Sequence, residues 1–109
     1  MSGGFFDFQE IWLDEMAGAI RVQLALARKG IYDYPEEFIR EMHETHDALK
    51  RLGCVVRRMD RVFSNDDGPD GYFARLPVDL EIVRWDDPAE DEAYIEKDKF
   101  HGYDNGRMR

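Results

Sequence analysis

Two histidines about one helical turn apart are the residues of this chain that could support metal or acid–base chemistry. His43 and His46 are three residues apart, and Asp47 follows directly. Residues three or four apart share one face of a helix, so this trio could supply two ligands to a metal ion. A zinc site needs a third protein ligand, and no other segment has the spacing to nominate one. We therefore interpret the trio as polar residues on the solvent side of a helix and keep a metal-dependent enzyme as an alternative.

Two further features have the residue types of reactive sites without the required spacing. The segment Asn65-Asp66-Asp67-Gly68 suggests a calcium loop, yet neither register of an EF-hand places an acid at its twelfth position. Asn and Asp also bond their own backbone in turns, so we predict a turn that ends a helix. Cys54, the one cysteine, has no adjacent histidine and is predicted to be a buried, inert thiol. The sequence thus predicts a non-enzymatic protein with no catalytic residue, metal or cofactor.

The charged residues are separated into a basic and an acidic segment. Residues 50–61 carry five cations against Asp60, and residues 86–98 carry seven carboxylates against Lys97. Such a split produces a strong local field, which governs the choice of partner rather than the fold. The candidate partner-binding residues are therefore three arginines and the acidic and aromatic positions of the second segment: Arg57, Arg58, Arg61, Trp85, Asp86, Asp87, Glu90, Asp91, Glu92 and Tyr94.

Each charged segment has two interpretations. The arginines could grip a phosphate backbone or a partner's carboxylates, or Asp60 and the acidic segment could neutralise them within the chain. The acidic segment could imitate the charge spacing of a nucleic acid on another protein's surface, or it could be solvated. The formal net charge of −9 and the pI of about 4.7 disfavour direct binding of nucleic acid.

Length and composition predict one small domain in the cytoplasm. A chain of 109 residues, 43% of them apolar, can bury a core without disulfides or metals. The first residues lack the pattern of a signal peptide. No apolar run reaches the roughly 20 residues that span a bilayer, so no membrane partner is expected.

Apolar residues at steps of three and four predict two helices. The first covers about 8–29, opened by a capping box of Asp7 and Glu10 and closed by Gly30. The second covers about 35–64, with Gly53 at a close approach to the first helix. Their short connection predicts a long antiparallel hairpin. A homodimer is also expected, because the apolar heptad of the second helix and the spare apolar residues of the first exceed what one hairpin can bury: Ile11, Trp12, Val22 and Leu26.

The remaining chain is less regular in pattern. We favour a short helix over 77–85, with Pro77 in its first turn, but a β hairpin pairing 78–85 with 92–97 remains open. Residues 86–109 are interpreted as an acidic C-terminal extension of a helical domain 1–85. This extension is either mobile or laid along the domain, across the arginines. The predicted fold is therefore mainly α: a helical hairpin, a short third helix or small β ribbon, and the extension.

One part of the chain is similar to a known group of proteins. The segment Arg58-Met59-Asp60-Arg61-Val62-Phe63-Ser64-Asn65-Asp66-Asp67-Gly68, followed by Phe73 and Arg75-Leu76, resembles small proteins of tailed phages and prophages. The stretches Gly3-Gly4-Phe5-Phe6-Asp7-Phe8 and Tyr34-Pro35-Glu36 resemble the same group, and the similarity covers about residues 3–80. It departs at Arg61, where the group has tryptophan. The resemblance implies an accessory phage gene and carries over no functional residue.

Charge separation and resemblance together favour a small acidic accessory protein that binds and inhibits a host or defence factor in the cytoplasm of a bacterium. Its contact surface would be residues 85–100. The face formed by Arg57, Arg58 and Arg61 would bind the extension or a second partner. The alternative is a self-assembling helical scaffold without an inhibitory target.

Overall fold

A computed structural model describes the backbone of residues 4–100 and the side chains of residues 4–97. It contains four α-helices: α1 (Ile11–Arg28), α2 (Glu36–Phe63), α3 (Pro69–Glu81) and α4 (Asp91–Phe100), the last preceded by a 3₁₀ turn at Pro88–Glu90. The prediction of a mainly α fold is confirmed. Residues 101–109 of the predicted extension lie outside the described residues. Within the described part, none of the helices combines the length and apolar character that crossing a bilayer requires.

The start of α1 differs from its prediction. Asp7 and Phe8 both adopt left-handed backbone angles, with φ of 56° and 65°, and the helix begins only at Ile11 without a side-chain cap. The predicted capping box is therefore wrong. Its residues are instead part of a turn that is tied to α2, where the carboxylate of Asp60 accepts the Phe6 N–H at 2.9 Å. This tertiary contact prevents Asp7 from taking the extended conformation of an N-cap.

The ends of α1 and α2 use the same backbone motif. Gly30 has a φ of 84° and Ile31 N–H donates to the Leu26 carbonyl, which confirms the predicted glycine cap. At the end of α2, Asn65 takes the left-handed position with a φ of 65°, and Asp66 N–H donates to the Arg61 carbonyl. The acidic loop is thus a helix-terminating turn, as predicted from its composition.

Helices α1 and α2 run in opposite directions and share the small core. Leu24 and Ala27, late in α1, pack with Met42, early in α2. At the other end Asp14 of α1 pairs with Arg57 of α2. A Cβ on Gly53 would lie 3.4 Å from the Asp14 carboxylate, an ordinary contact distance, so the packing against α1 does not by itself require glycine at this position.

The third helix begins eight residues earlier in the chain than predicted and is longer: it covers Pro69–Glu81 instead of 77–85. It begins at Pro69, where a missing N–H costs nothing, and Pro77 lies in its interior rather than at its start. The alternative β ribbon does not form: residues 78–81 belong to α3, residues 92–97 belong to α4, and no strand occurs within residues 4–100. Asp79 of α3 binds Arg58 of α2, and this ion pair favours the helix against α2 despite its internal proline.

Candidate interaction surfaces

A buried arginine on α1 holds the acidic segment to the helical body. The side chain of Arg21 is 1% exposed. Its Nε lies 3.2 Å from Asp86 Oδ1, its Nη1 lies 2.9 Å from Asp91 Oδ1, and its Nη2 donates to the Asp87 carbonyl at 2.8 Å. The Asp91 contact meets the distance of an ion pair without the angle of a hydrogen bond. The guanidinium also stacks 4.3 Å from the centre of the Tyr94 ring, a cation–π contact.

Asp86 is the anionic centre of this arrangement. Its side chain is 0% exposed and accepts two hydrogen bonds from Arg28, a bidentate pair, and one from His43 Nδ1 at 2.6 Å. Its backbone N–H donates to Asp47 Oδ1 at 2.9 Å. A buried carboxylate with this many donors stays ionised because the donors replace the water that it has lost.

The pKa of Asp86 records this balance. Burial alone would raise the pKa of the carboxyl, because it disfavours the charged form. The hydrogen bonds from Arg28 and His43, with the positive charges of Arg28 and Arg21, outweigh burial, and the pKa of Asp86 falls below its ordinary value. The Arg28 pKa is raised, chiefly by its hydrogen bond to Asp86. Both shifts show that the pair is stabilised in its charged form.

The predicted acidic contact residues divide into inward and outward groups. Asp86 and Asp91 face the body, and Tyr94 lies under Arg21. Glu90 binds Arg84, and Glu92 binds Lys29, in contacts that solvent reaches. The side chain of Asp87 caps the 3₁₀ turn at the surface, and Trp85 is 37% exposed. Three of the seven predicted residues in this segment, Asp86, Asp91 and Tyr94, are thus engaged with the helical body.

The three predicted arginines lie together, but their described partners are on α1 and α3. Arg57 pairs with Asp14, and Arg58 holds the carboxylate of Asp79 through its Nε and Nη2. The hydrogen bond from Arg58 lowers the pKa of Asp79. The described tail carboxylates that form ion pairs bind Arg21, Arg28, Lys29 and Arg84 instead. Within residues 86–97 the extension therefore does not cross the Arg57, Arg58 and Arg61 face, contrary to the expectation for this part.

Sequence reasoning missed Arg21 and Arg28. The available signal was their seven-residue spacing on one face of the first helix, together with the position of Arg21 between apolar neighbours. An arginine within an apolar stripe requires a buried anion, and the most carboxylate-rich segment of the chain, residues 86–98, is at its other end. Neither observation indicates which acid the arginine meets.

A cleft of about 600 Å³ lies between the start of α1, the end of α2 and the end of α3. Arg57, Arg58 and Arg61 line it, yet carboxylates alternate with them, and this limits its attraction for an anion. Cys54 lies at this cleft, and burial raises the pKa of its thiol, so the thiol stays protonated and weakly nucleophilic. This fits the predicted inert cysteine.

The histidines of the metal hypothesis bind carboxylates. His43 donates to Asp86, and His46, which is 3% exposed, donates to Asp47 at 2.8 Å. The sequence pattern placed His46 on the solvent side of the helix, and this prediction is wrong because the side chain is buried. Within the described residues, no three His, Cys, Asp or Glu side chains converge in a way that could hold a metal ion.

One side of the α1–α2 pair exposes a row of apolar side chains. We name it the heptad face, after the spacing of its members: Trp12, Met16, Ala19, Phe38, Thr45, Leu52 and Met59. Every one of these side chains is exposed; Trp12 is 68% exposed, Phe38 47% and Leu52 46%. The helices present apolar residues here that no other described element covers.

The heptad face contains a groove near the end of α1. The groove has a volume of about 380 Å³ and runs between Ala19, Ile20 and Gln23 of α1 and Phe38, Met42 and Thr45 of α2. Its lining is mostly apolar, with Glu41 at the rim. An apolar recess of this size can take a large side chain from a partner.

Comparison with known proteins finds no family model, no curated protein and no solved structure that matches this chain.

Proposed function

We propose that this chain is a non-enzymatic protein-binding module whose principal contact surface is the heptad face. The observation that carries the proposal is that Phe38, Leu52 and Met59, spaced by multiples of seven on α2, are all exposed beside Trp12 and Met16 of α1. Contiguous exposed apolar surface of this kind is typical of protein interaction sites. Aromatic residues and methionine are also the types that interfaces favour.

The small core supports the same proposal. Among the described residues seven apolar side chains are buried, and three of them are alanines: Ala17, Leu24, Ala25, Leu26, Ala27, Met42 and Cys54. Hydrophobic burial contributes about 25 cal/mol per Å² of apolar area, so alanines contribute little. A chain that leaves its larger apolar residues outside gains stability when a partner covers them.

What favours binding over catalysis is the state of the titratable groups. His43, His46 and Asp86 are mutually engaged or paired with arginine, and Cys54 is protonated at neutral pH by its raised pKa. Groups held in this way stabilise the fold, and none of them is poised as a nucleophile or general base.

The resemblance to phage accessory proteins supports a proposal about the setting. In such a setting the bound protein would be a host or defence factor, and binding would inhibit it. A second contact surface is proposed at the outward acids Asp87, Glu92 and Glu96, next to Trp85. These exposed residues keep a part of the negative charge that could imitate nucleic acid.

The test is capture of partners from nuclease-treated bacterial lysate by the full chain and by a Phe38→Glu, Leu52→Glu double variant. We expect the captured partner to be lost, because the two introduced carboxylates would be buried in an apolar contact without water or a counter-charge. The matched control is Phe73→Glu with Ile82→Glu, two apolar residues of and near α3 that are 71% and 77% exposed but lie outside the heptad face.

Retention of the partner by the heptad-face variant would contradict the proposal. A third variant, Asp87→Asn, Glu92→Gln and Glu96→Gln, assigns the binding in that case. Loss of capture with this variant alone would place the contact on the outward acids.

A further inference from the structure

We infer that the heptad face binds a second copy of this chain in antiparallel orientation, about a twofold axis that crosses the middle of α1 and α2. The inference rests on the proposed function, because it uses the same surface. It assigns the heptad face to a second copy in the chain by itself, and a host or defence factor would compete with that copy for the face. Two independent features of the described residues agree with one position of the axis: the knob and groove on α1, and the distribution of charge along α2. The apolar spacing of both helices fits the packing that such an axis produces.

The apolar spacing matches that of packed helices in bundles. On α2, Phe38, Thr45, Leu52 and Met59 repeat every seven residues over the length of the helix. On α1, Trp12, Met16, Ala19 and Gln23 follow steps of four, three and four. Two neighbouring stripes with this period fit against two equal stripes at a crossing angle of about 20°, which produces a four-helix bundle. A second copy supplies two equal stripes.

A knob and a recess lie on the same stripe of α1. Trp12 projects at one end, and the apolar groove beside Ala19 and Gln23 lies at the other. A twofold axis between them places each Trp12 in the groove of the other copy, so that one contact is made twice. The midpoint between Trp12 and Gln23 falls at Ala17 and Gly18. The axis must therefore cross α1 there.

The charges of α2 reverse at its middle. Its first half, Glu36–Leu49, carries five carboxylates and one arginine, whereas its second half, Lys50–Phe63, carries five cations and one carboxylate. An antiparallel copy of α2 places each half against the opposite half, and a parallel copy places like charge on like charge. Within the described chain, Arg51 forms no ion pair, and neither do Glu41 and Glu44. These charges remain for a partner.

The two positions of the axis agree. The carboxylate of Asp14 lies beside Gly53. Because the helices are antiparallel, three residues later in α1 correspond to three residues earlier in α2, so Ala17 lies at the level of Lys50. The charge of α2 changes sign between Leu49 and Lys50, opposite the midpoint between Trp12 and the groove on α1. One axis therefore pairs Trp12 with the groove and the acidic half of α2 with its basic half. The acidic segment and α4 lie on the Arg21 side of α1 and leave this face open.

The first test is the mass of the full chain in solution, measured by sedimentation equilibrium from about 1 μM to about 1 mM, where weak and moderate interfaces associate. We expect twice the 12.8 kDa of the chain, and at least tenfold weaker association for Trp12→Ala. The variant with Phe73→Glu and Ile82→Glu should associate like the unchanged chain. A mass of 12.8 kDa throughout the range would overturn the inference.

The second test separates the antiparallel dimer from other arrangements and from misfolding. Glu41→Lys with Glu44→Lys should weaken association at least tenfold, and so should Arg51→Glu. All three substitutions in one chain should restore it, because the exchanged halves again meet opposite charge. In a parallel dimer each exchange leaves like charge facing like charge, so an unchanged mass after the separate exchanges contradicts the antiparallel geometry.

The outcomes also distinguish this inference from the proposed function. If the chain is monomeric and loses its lysate partner with Phe38→Glu and Leu52→Glu, the heptad face binds a different protein and only the inference is wrong. If the chain is monomeric and those substitutions do not affect capture, both the inference and the proposed function are wrong.

Discussion

Arg21 and Asp86 are 65 positions apart in the chain and meet in the buried centre of the molecule. Each is nearly inaccessible to solvent, and each would be costly to bury alone. Each residue of the pair also has further partners. Arg28 and His43 bind Asp86, and Asp91 and the Asp87 carbonyl bind Arg21. At the scale of single residues, this network is the main connection between the acidic segment and the helices.

Asp86→Asn should lower the free energy of unfolding by about 3 kcal/mol, because removing one partner of a buried ion pair leaves the arginines uncompensated. Urea unfolding of the two proteins measures the difference. Asp87→Asn is the matched control: its side chain caps a 3₁₀ turn, asparagine caps as well as aspartate, and we expect a change within about 0.5 kcal/mol. Equal effects of the two substitutions would contradict the burial argument.

The lowered pKa of Asp86 gives this contribution a defined pH dependence. A carboxyl with a depressed folded pKa contributes stability that is complete above its unfolded value of 3.8 and is lost as the pH falls through the folded pKa. The difference in unfolding free energy between the unchanged chain and Asp86→Asn should therefore be constant near neutrality and shrink below pH 3.8. Thermal unfolding over the acid range measures it, and a difference that grows with acidity would refute the assignment.

The helices themselves follow local rules that the sequence exhibits. Periodic apolar residues place α1 and α2 within three residues of their predicted bounds, and Gly30 ends α1 as expected. Two local signals misled. Asp7 has the composition of an N-cap but is held in a turn by the contact of its neighbour Phe6 with Asp60, and Pro77 lies inside a helix that starts at Pro69. In both cases contacts with α2 outweigh a local preference.

Two glycines test the local rules in opposite directions. Gly30→Ala should destabilise the protein by about 1–2 kcal/mol, because the Cβ of alanine clashes with the backbone at the left-handed φ of 84°. Gly18→Ala, in the exposed middle of α1 with no atom near its added methyl group, should stabilise it by up to about 1 kcal/mol. Thermal unfolding of both variants measures the two signs. A loss of stability with Gly18→Ala would indicate that this site is covered in solution.

The whole molecule is long for its size, and this explains why so much apolar surface is exposed. Its dimensions are 47 × 25 × 21 Å, and its radius of gyration is 16.4 Å, whereas a compact domain of 100 residues has about 13 Å. An extended helical pair has a large surface for its volume and can bury little on its own. The acidic segment covers one side of α1, and the heptad face occupies the open side of the pair.

Arg21→Gln should release the last described helix without unfolding the α1–α2 pair. Arg21 contacts Asp91 and Tyr94 of α4 and Asp86 and Asp87 just before it, so its loss removes the buried polar contacts that it makes between this segment and α1. We expect amide hydrogen exchange in residues 91–97 to accelerate at least about tenfold while exchange in α2 changes little. Lys29→Gln, which removes only an exposed ion pair with Glu92, is the control. Uniform acceleration in all helices would show that the network stabilises the whole fold.

The sequence by itself determined the helical class, the course of α1 and α2, the turn after Phe63 and the separation of charge, because each depends on residues a few positions apart. Only the tertiary structure decided which charges meet. It joined the acidic segment to Arg21 and Arg28 rather than to Arg57, Arg58 and Arg61, since an ion pair depends on distance in space and on burial. It also left the seven-residue stripe of α2 exposed, because α1 covers one flank of that helix and α3 another.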